Sequence, residues 1–570
     1  MKTKGNFKKI ILLIVIMTIP FYLFSDKLEF VIKIEDPIII EQYFANDINV
    51  LQTVGYPMLP YINKTILLPM GEKVKDITVN FLGNEKIIDN VFIKPSQGYY
   101  TSSQIKTDLE IYADIYKMDA FTPSERYSKG STQRLQGHDL FYVTLFPYLF
   151  NPIKKQIKWQ QKCKIVIETE YDSAIEGNQN IMLTNDFETK ETIRDLVINP
   201  ELIDSYHKNC DKWKPIKESL VDPNDPYDMI IITKSEWVSI FDDYIDWRES
   251  NCNPYLNTTN LQKIGVFTIE DIYTNYTGVD RADKIRNFVI DAYQAYASVG
   301  YGLRYLMLGG DFEIIPTRRL YCHTQNPLRW DYDVECDTYY GGLDGTWDSN
   351  GDGIYAATTE NDEIDSNPEV RVGRIPVSSA VELENILDKT INYCSASSNH
   401  FVFVGEDIQE DHATGEDFCE QVYEIVEDNC DDLEYTKLYN GESVVGTINS
   451  GFGFLHHFGH ATFNKVMEIT NPSILTNADR GFIISNGCFS AEFSQSDAIA
   501  EKFLLAPNGA YAYIGNTSLG WWYIYWTTSG WVAGGPWYTY VKDFCLLFNF
   551  IRIREKRHWI IFEHSKILCI

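Results

Sequence analysis

Two stretches of this sequence end in side chains that could share a proton. "GFGFLHHFGHATF" (Gly451–Phe463) runs apolar into three histidines, and "GFIISNGCFSAEF" (Gly481–Phe493) runs apolar into a single cysteine. A thiol attacks a carbonyl as its thiolate, so it needs a histidine or another positive potential beside it. His460 and Cys488, 28 positions apart, are the candidate pair. Gly459 and Gly487 precede them and permit tight turns that expose a side chain at the end of a strand. A cysteine on a strand-to-helix turn also aims backbone N–H groups at a developing oxyanion, at about 2.7–4 kcal/mol per donor. Taken alone, a buried cysteine is more often a small hydrophobe.

His456 and His457 invite a zinc reading. Alternation along a strand puts them on opposite faces, and no carboxylate or cysteine set completes a tetrahedron. His457 is expected to pack or hydrogen-bond beside the site. A second concentrated signal is "LDGTWDSNGDGIYAATTENDEID", where Asp348, Asn350 and Asp352 alternate before Gly353, as at the start of a calcium loop. Thr359 stands where a full loop would have glutamate, so Asp344, Asp362 or Asp365 would have to complete it. The expectation is a structural Ca²⁺ held by Asp344, Asp348, Asn350 and Asp352, and no organic cofactor. A solvated acidic loop is the plainer alternative.

These residues need elements to position them. From Tyr227 onward short buried runs alternate with helical periodicity. Strands are expected at Met229–Thr233 and Tyr305–Asp311, in "HFVFVGE", "FGFLHHFG", "GFIISNG" and "AYAYIGN". Helices are expected at "RADKIRNFVIDAYQAYASVG" and near Ala380–Cys394, Glu416–Glu427 and Asp497–Leu505. Such alternation indicates a parallel sheet with helices on its faces, and ligands bind beyond the carboxyl ends of its strands. His460, Cys488 and Glu406 all fall there. Residues 26 to about 222 instead alternate short apolar runs with turns, as in a β-rich, sandwich-like domain.

With 570 residues the chain exceeds one core. A formal charge of −30 argues against nucleic acid, which needs clustered Lys and Arg. Four lysines followed by an apolar run from Ile10 to Phe24 have the form of a signal peptide over residues 1–25. The expected location is therefore secreted or cell-surface, with membrane contact only transient during export or through an uncleaved N-terminal anchor. Eleven cysteines without a C-x-x-C pair leave at least one thiol unpaired; Cys322/Cys336 and Cys419/Cys430 are plausible local bridges. Residues 541–570 are apolar and basic without clear periodicity, an atypical tail that a truncated or shifted reading frame would explain.

From Tyr227 to Trp522 the sequence resembles the gingipain family of cysteine peptidases. The resemblance rests on "YDMIIIT", "DKIRNFVIDAY", "YLMLGGDFEIIPTR", "DTYYGGLDGTWDSNGDG", "PEVRVGRIPV", "FVGED", "GFGFLHHFGHAT", "ISNGCFSAEF" and "GAYAYIGNTSLGWW", in the family's order. Upstream, "VGYPMLPYINKTILLPMGEKV" resembles the family's pro-segment. It implies a caspase-like α/β/α sandwich with a mainly parallel sheet, in subdomains 223–376 and 377–540, behind a β-rich pro-domain at 26–222. It implies that Cys488 is the nucleophile, His460 the general base and Glu406 the acid that orients the histidine. Oxyanion donors would be the N–H groups of Cys488 and Ala461, the latter standing where the family has glycine. Glu416 or Asp417 would pair with a basic P1 side chain under Trp521. The implied activity is a secreted endopeptidase acting on proteins or peptides, made as a zymogen. The alternatives are a sorting transpeptidase of a secretion system and an inactive calcium-binding surface protein.

Overall fold

The computed structural model describes residues 27–534 and 566–569, apart from 41–42, 45–48, 97, 99, 102–111, 185–186, 208–213, 215–218, 251–262, 325–329, 358–361, 363, 366, 394–399, 410–412, 430–433, 440–442, 478–479, 495–496 and 528–529. The expected signal peptide and most of the atypical tail lie outside the described residues. No described helix is long and apolar enough to cross a membrane.

Two mainly parallel sheets carry the C-terminal two-thirds. One has the order Ile264–Thr268, Met229–Thr233, Tyr305–Gly309, Arg371–Ile375, parallel throughout. The other has the order Glu434–Tyr439, His400–Gly405, Phe454–Phe458, Phe482–Ser485, Ala512–Asn516, with Lys566–Cys569 antiparallel at its edge. Met229–Thr233 is buried at every position, as a strand covered on both faces must be. Its side chains divide by parity: Ile230 and Ile232 pack with the Arg281–Ser298 helix, while Met229 and Ile231 join the core shared with the second sheet. That shared core takes Val402, Val404, Leu455 and Ile483 from the second sheet, and Leu383, Ile386, Phe503 and Leu504 from the Ala380–Tyr393 and Ile499–Leu505 helices. This is the expected α/β architecture, helices on both faces of mainly parallel sheets. Glu434–Tyr439 was not expected: half-exposed at an edge, "EYTKLY" lacks the apolar run that marks the inner strands.

Residues 27–205 are β-rich, with Lys27–Lys33, Lys162–Tyr171 and Glu72–Leu82 in one antiparallel sheet and Ile62–Leu67, His138–Leu145 and Tyr127–Leu135 in another. Two helices, Ser173–Met182 and Phe187–Leu196, follow the strands. This region docks on the α/β part: Tyr142 Oη donates to Asn367 Oδ1 at 3.2 Å, Gln136 Nε2 to the Glu369 carbonyl at 3.2 Å, and Tyr293 Oη to the Met182 carbonyl at 3.0 Å. Tyr100–Thr101 adds an antiparallel strand to Trp521–Trp522.

The expected Cys322–Cys336 bridge does not form. Both lie in the Arg318–Thr324/Trp330–Cys336 hairpin, but Cys322 pairs across to Tyr332 and Cys336 across to Arg318. Four residues of offset place them roughly 13 Å apart along the ladder, and Cys336 is a buried thiol outside any disulfide. Cys419 is likewise buried and outside any disulfide; Cys430 lies outside the described residues.

Arg374, wholly buried on the Arg371–Ile375 strand, grips Asp337 with two hydrogen bonds, Nε to Oδ2 at 2.7 Å and Nη2 to Oδ1 at 2.8 Å. Its Nη1 donates to the carbonyls of Gly310 and Ile315 at 2.8 and 2.9 Å. Arg374→Ala would leave Asp337 charged and buried without its partner. Denaturant unfolding should report a loss of about 3–5 kcal/mol.

Candidate active site

The site is assembled by register. Gly405 pairs with Phe458, and His457 with Ser485, across three neighbouring parallel strands. One residue past Gly405 is Glu406, and three residues past His457 and Ser485 are His460 and Cys488. All three therefore emerge at the carboxyl end of adjacent strands, where the sequence places them.

Glu406 N donates to the Phe458 carbonyl at 3.0 Å, and Glu406 Oε2 accepts from the His460 backbone N–H at 2.7 Å. The carboxylate thus fixes the histidine turn through the main chain; the His460 side chain stays exposed. Gly459 makes this approach possible, since a Cβ there would lie 2.6 Å from Glu406 Oε2 and 2.7 Å from His457 Nε2. Burial opposes charge on Glu406, but His457 and the His460 N–H more than offset it and hold the carboxyl below its usual range.

Cys488 is buried, and its Sγ accepts from the Gly520 N–H at 3.2 Å. The turn that carries it is tied down on both sides. Asn486 N donates to the His457 carbonyl at 2.9 Å, Gly487 N to Ser485 Oγ at 3.2 Å, and Asn516 Nδ2 to the Gly487 carbonyl at 3.2 Å. Phe489, directly after the cysteine, sits at φ 56°, a left-handed conformation that is an outlier for a bulky residue and is maintained by this network. Its N–H donates to the Ser518 carbonyl at 2.7 Å. Ala461 does not need the glycine conformation: it lies in a short strand pairing with Val466. Its methyl fills the space beside Gly487, where a Cβ would come within 2.3 Å of Ala461 Cβ.

Glu416 and Asp417 lie in the first turn of the Gly415–Asn429 helix, half-buried. Gly415 N donates to the Glu406 carbonyl at 2.8 Å, so this turn borders the site. Trp521 opens the Trp521–Thr527 strand, next to the amide that meets Cys488, and the hairpin strand Gly530–Gly534 reaches the same helix. The pro-segment pair Tyr100–Thr101 covers this rim.

The two other histidines divide as strand alternation requires. His456 stacks on Phe418, and its Nδ1 lies 3.6 Å from Cys419 Sγ; burial first, then the neighbouring His457, pushes its pKa down to about 3. It packs in the core. His457 bonds beside the site, Nδ1 to Ser485 Oγ at 2.8 Å. Ser485, Gly520 and the Asn486–Asn516 pair were not singled out in the sequence, where only "SNGC" hinted at a polar turn.

The acidic residues sort differently from their spacing. Asp348 is half-buried, Asn350 and Asp352 are exposed, and they cap their own loop: Asp348 Oδ1 accepts from Gly351 N at 2.8 Å, Asp348 Oδ2 from Gly353 N at 3.0 Å, and Asp352 Oδ1 from Ile354 N at 2.8 Å. Asp344 instead converges with Asp365 and Glu369, their oxygens within 4.8 Å of one another. Burial first, then the neighbouring carboxylates, pushes the Asp365 pKa up to about 7 and that of Glu369 well above its usual range. Asp344 Oδ2 and Asp365 Oδ2 are buried without a hydrogen-bond partner. Orphaned carboxylate oxygens around a shared point suit a hard cation with oxygen ligands. Glu369, in "NPEVRVGR", carried no sequence signal for this role.

Gly487→Ala should displace the cysteine turn. The rate of Cys488 alkylation should change at least about tenfold, and Ala461→Gly in the same chain should restore part of it.

Comparison with known proteins adds the family. The model of Peptidase family C25 matches residues 222–541, and that of its propeptide, Propeptide_C25, matches residues 28–193. Gingipain R2 of Porphyromonas gingivalis is 22% identical over 500 residues, covering 83% of this chain and 60% of the relative. Lys-gingipain of the same organism is 21% identical over 505 residues, covering 82% of this chain and 25% of the relative. The chain thus spans about three-fifths of the length of gingipain R2. The crystal structure of the Arg specific cysteine proteinase gingipain R is 20% identical with a TM-score of 0.38, covering 54% of this chain and 65% of that one. With its peptidase model matched over more than half its length, and the propeptide model upstream, the chain belongs to peptidase family C25.

Proposed function

We propose that this chain is a cysteine endopeptidase made as a zymogen, with Cys488 as nucleophile and His460 as general base. The observation that carries this reading is the convergence of Glu406, His460 and Cys488 at the ends of three register-matched parallel strands. His460 takes the Cys488 proton; the sulfur adds to the scissile carbonyl carbon, and the carbonyl oxygen becomes an oxyanion facing the N–H groups of Cys488 and Ala461. The C–N bond then breaks, and the imidazolium returns the proton to the leaving amine. His460 next deprotonates a water that attacks the thioester, freeing carboxylate and thiol. Substrates are proteins or peptides, and the location is secreted or cell-surface. Glu416 and Asp417, at the rim beside Trp521, favour Arg or Lys at P1, in keeping with the names of the Arg specific and Lys-gingipain relatives. Tyr100–Thr101, paired to the same rim, supports latency until the pro-domain leaves.

Asp344, Asp365 and Glu369 would hold a structural Ca²⁺, with Asp348, Asn350 and Asp352 shaping the loop beside it. The ion would supply charge neutralisation to three carboxylates, two of which, Asp365 and Glu369, burial otherwise drives towards protonation.

Cys488→Ala should abolish cleavage of Arg- and Lys-containing peptides and labelling by a thiol-directed activity probe, with an unchanged circular dichroism spectrum. Undiminished turnover would refute the assignment. For the ion, the sign follows from a raised folded-state pKa: chelated protein is stable while Asp365 is protonated and loses stability as pH rises from about 4 through about 7. Calcium should therefore raise the melting temperature most at pH 7–8. Asp365→Asn should raise that of the chelated protein and remove the calcium response.

A further inference from the structure

His457 is the buried side chain of this site that the reaction leaves without a role. Its ring lies between two groups of the site: Nδ1 is 2.8 Å from Ser485 Oγ, and Nε2 is 3.6 Å from Glu406 Oε1, an ion-pair separation just beyond hydrogen-bond range. The side chain is fully buried and Nε2 has no hydrogen-bond partner. Ser485 Oγ also accepts the Gly487 N–H at 3.2 Å, one residue before Cys488. Glu406 in turn accepts the His460 N–H at 2.7 Å. A continuous path therefore runs from the histidine turn through Glu406, His457 and Ser485 to the cysteine turn.

The protons on that path can be placed. A ring with hydrogen on Nδ1 alone would present the Nε2 lone pair to a carboxylate, two acceptors facing each other in a buried space. In the remaining states Nε2 carries the hydrogen, aimed at Glu406. When Nδ1 is bare, Ser485 donates its hydroxyl hydrogen to it and keeps lone pairs for the Gly487 N–H.

We infer that His457 is a positioning residue for this site: its Nε2–H holds the Glu406 carboxylate, and its Nδ1, through Ser485, holds the turn that carries Cys488. The inference rests on the peptidase reading above. One imidazole then sets the spacing of the two turns that must exchange a proton, and it stabilises Glu406 in the charged form that grips His460. The titratable groups facing this path are Glu406, His456, His460, Cys488 and, beside Ser485 from the next strand, Tyr513, with Lys465 acting on Glu406 by charge.

The test uses the full chain, with the rate of Cys488 alkylation by iodoacetamide and the turnover of a peptide substrate followed from pH 4 to 9. His457→Phe removes the donor, so Glu406 should protonate more readily and the acid limb of both profiles should move to higher pH. The plateau rate should fall about tenfold to a hundredfold, the range usual for side chains that orient another functional group. His457→Gln, which can still place an N–H near Glu406, should return the limb towards its wild-type position. Ser485→Ala, a smaller change should the aromatic variant fold poorly, should lower the plateau in the same direction. A wild-type acid limb that His457→Phe leaves unmoved overturns this inference alone. Alkylation of wild-type Cys488 as an ordinary thiol overturns the reading of the site and this inference with it.

Discussion

Everything at the site depends on parallel strand pairing in one register. Phe454–Phe458 is buried at every position and flanked by His400–Gly405 and Phe482–Ser485. Because side chains alternate with period two, a slip of one residue would exchange the environments of His456 and His457 and carry His460 out of line with Cys488. Burial of both faces forbids that slip, since it would push Leu455 and Ile483 out of the shared core. The hydrophobic core thus does geometric work: it sets the relative position of the strands that carry an imidazole, a thiol and a carboxylate.

The turns beyond the strands make the second layer of control, and it is steric as much as polar. Gly405, Gly415, Gly459 and Gly487 all lie where an added Cβ would meet another chain segment at 2.7 Å or less. At Gly405 and Gly415 main chain packs against main chain, while at Gly459 the close neighbours are the Glu406 and His457 side chains and at Gly487 the Ala461 methyl. The strain at Phe489 belongs to the same arrangement, maintained by its N–H bond to Ser518 and by the Asn516 bond to Gly487.

The sequence was most legible where burial was complete. Uninterrupted apolar runs marked Met229–Thr233 and Phe454–Phe458, and the glycines after the site strands marked the turns that carry His460 and Cys488. The edge strand Glu434–Tyr439 was hidden by its mixed polarity. At the acidic segment spacing picked out Asp348, Asn350 and Asp352, whose oxygens accept local N–H groups, and gave no sign of Glu369, which reaches Asp344 from 25 positions away. Local pattern records a loop's own hydrogen bonds well and convergence from distant segments poorly. The Cys322–Cys336 expectation failed for the same reason, since proximity in sequence says nothing about offset along a ladder.

The pairing of Tyr100–Thr101 with Trp521–Trp522 has a consequence for folding itself. Trp521–Thr527 lies between that segment and Gly530–Gly534, so without it the first two residues of an aromatic-rich strand would lose their backbone partners on that side. An uncovered border of that kind recruits strands from other molecules. The N-terminal region thus occupies the start of that margin from within the same chain.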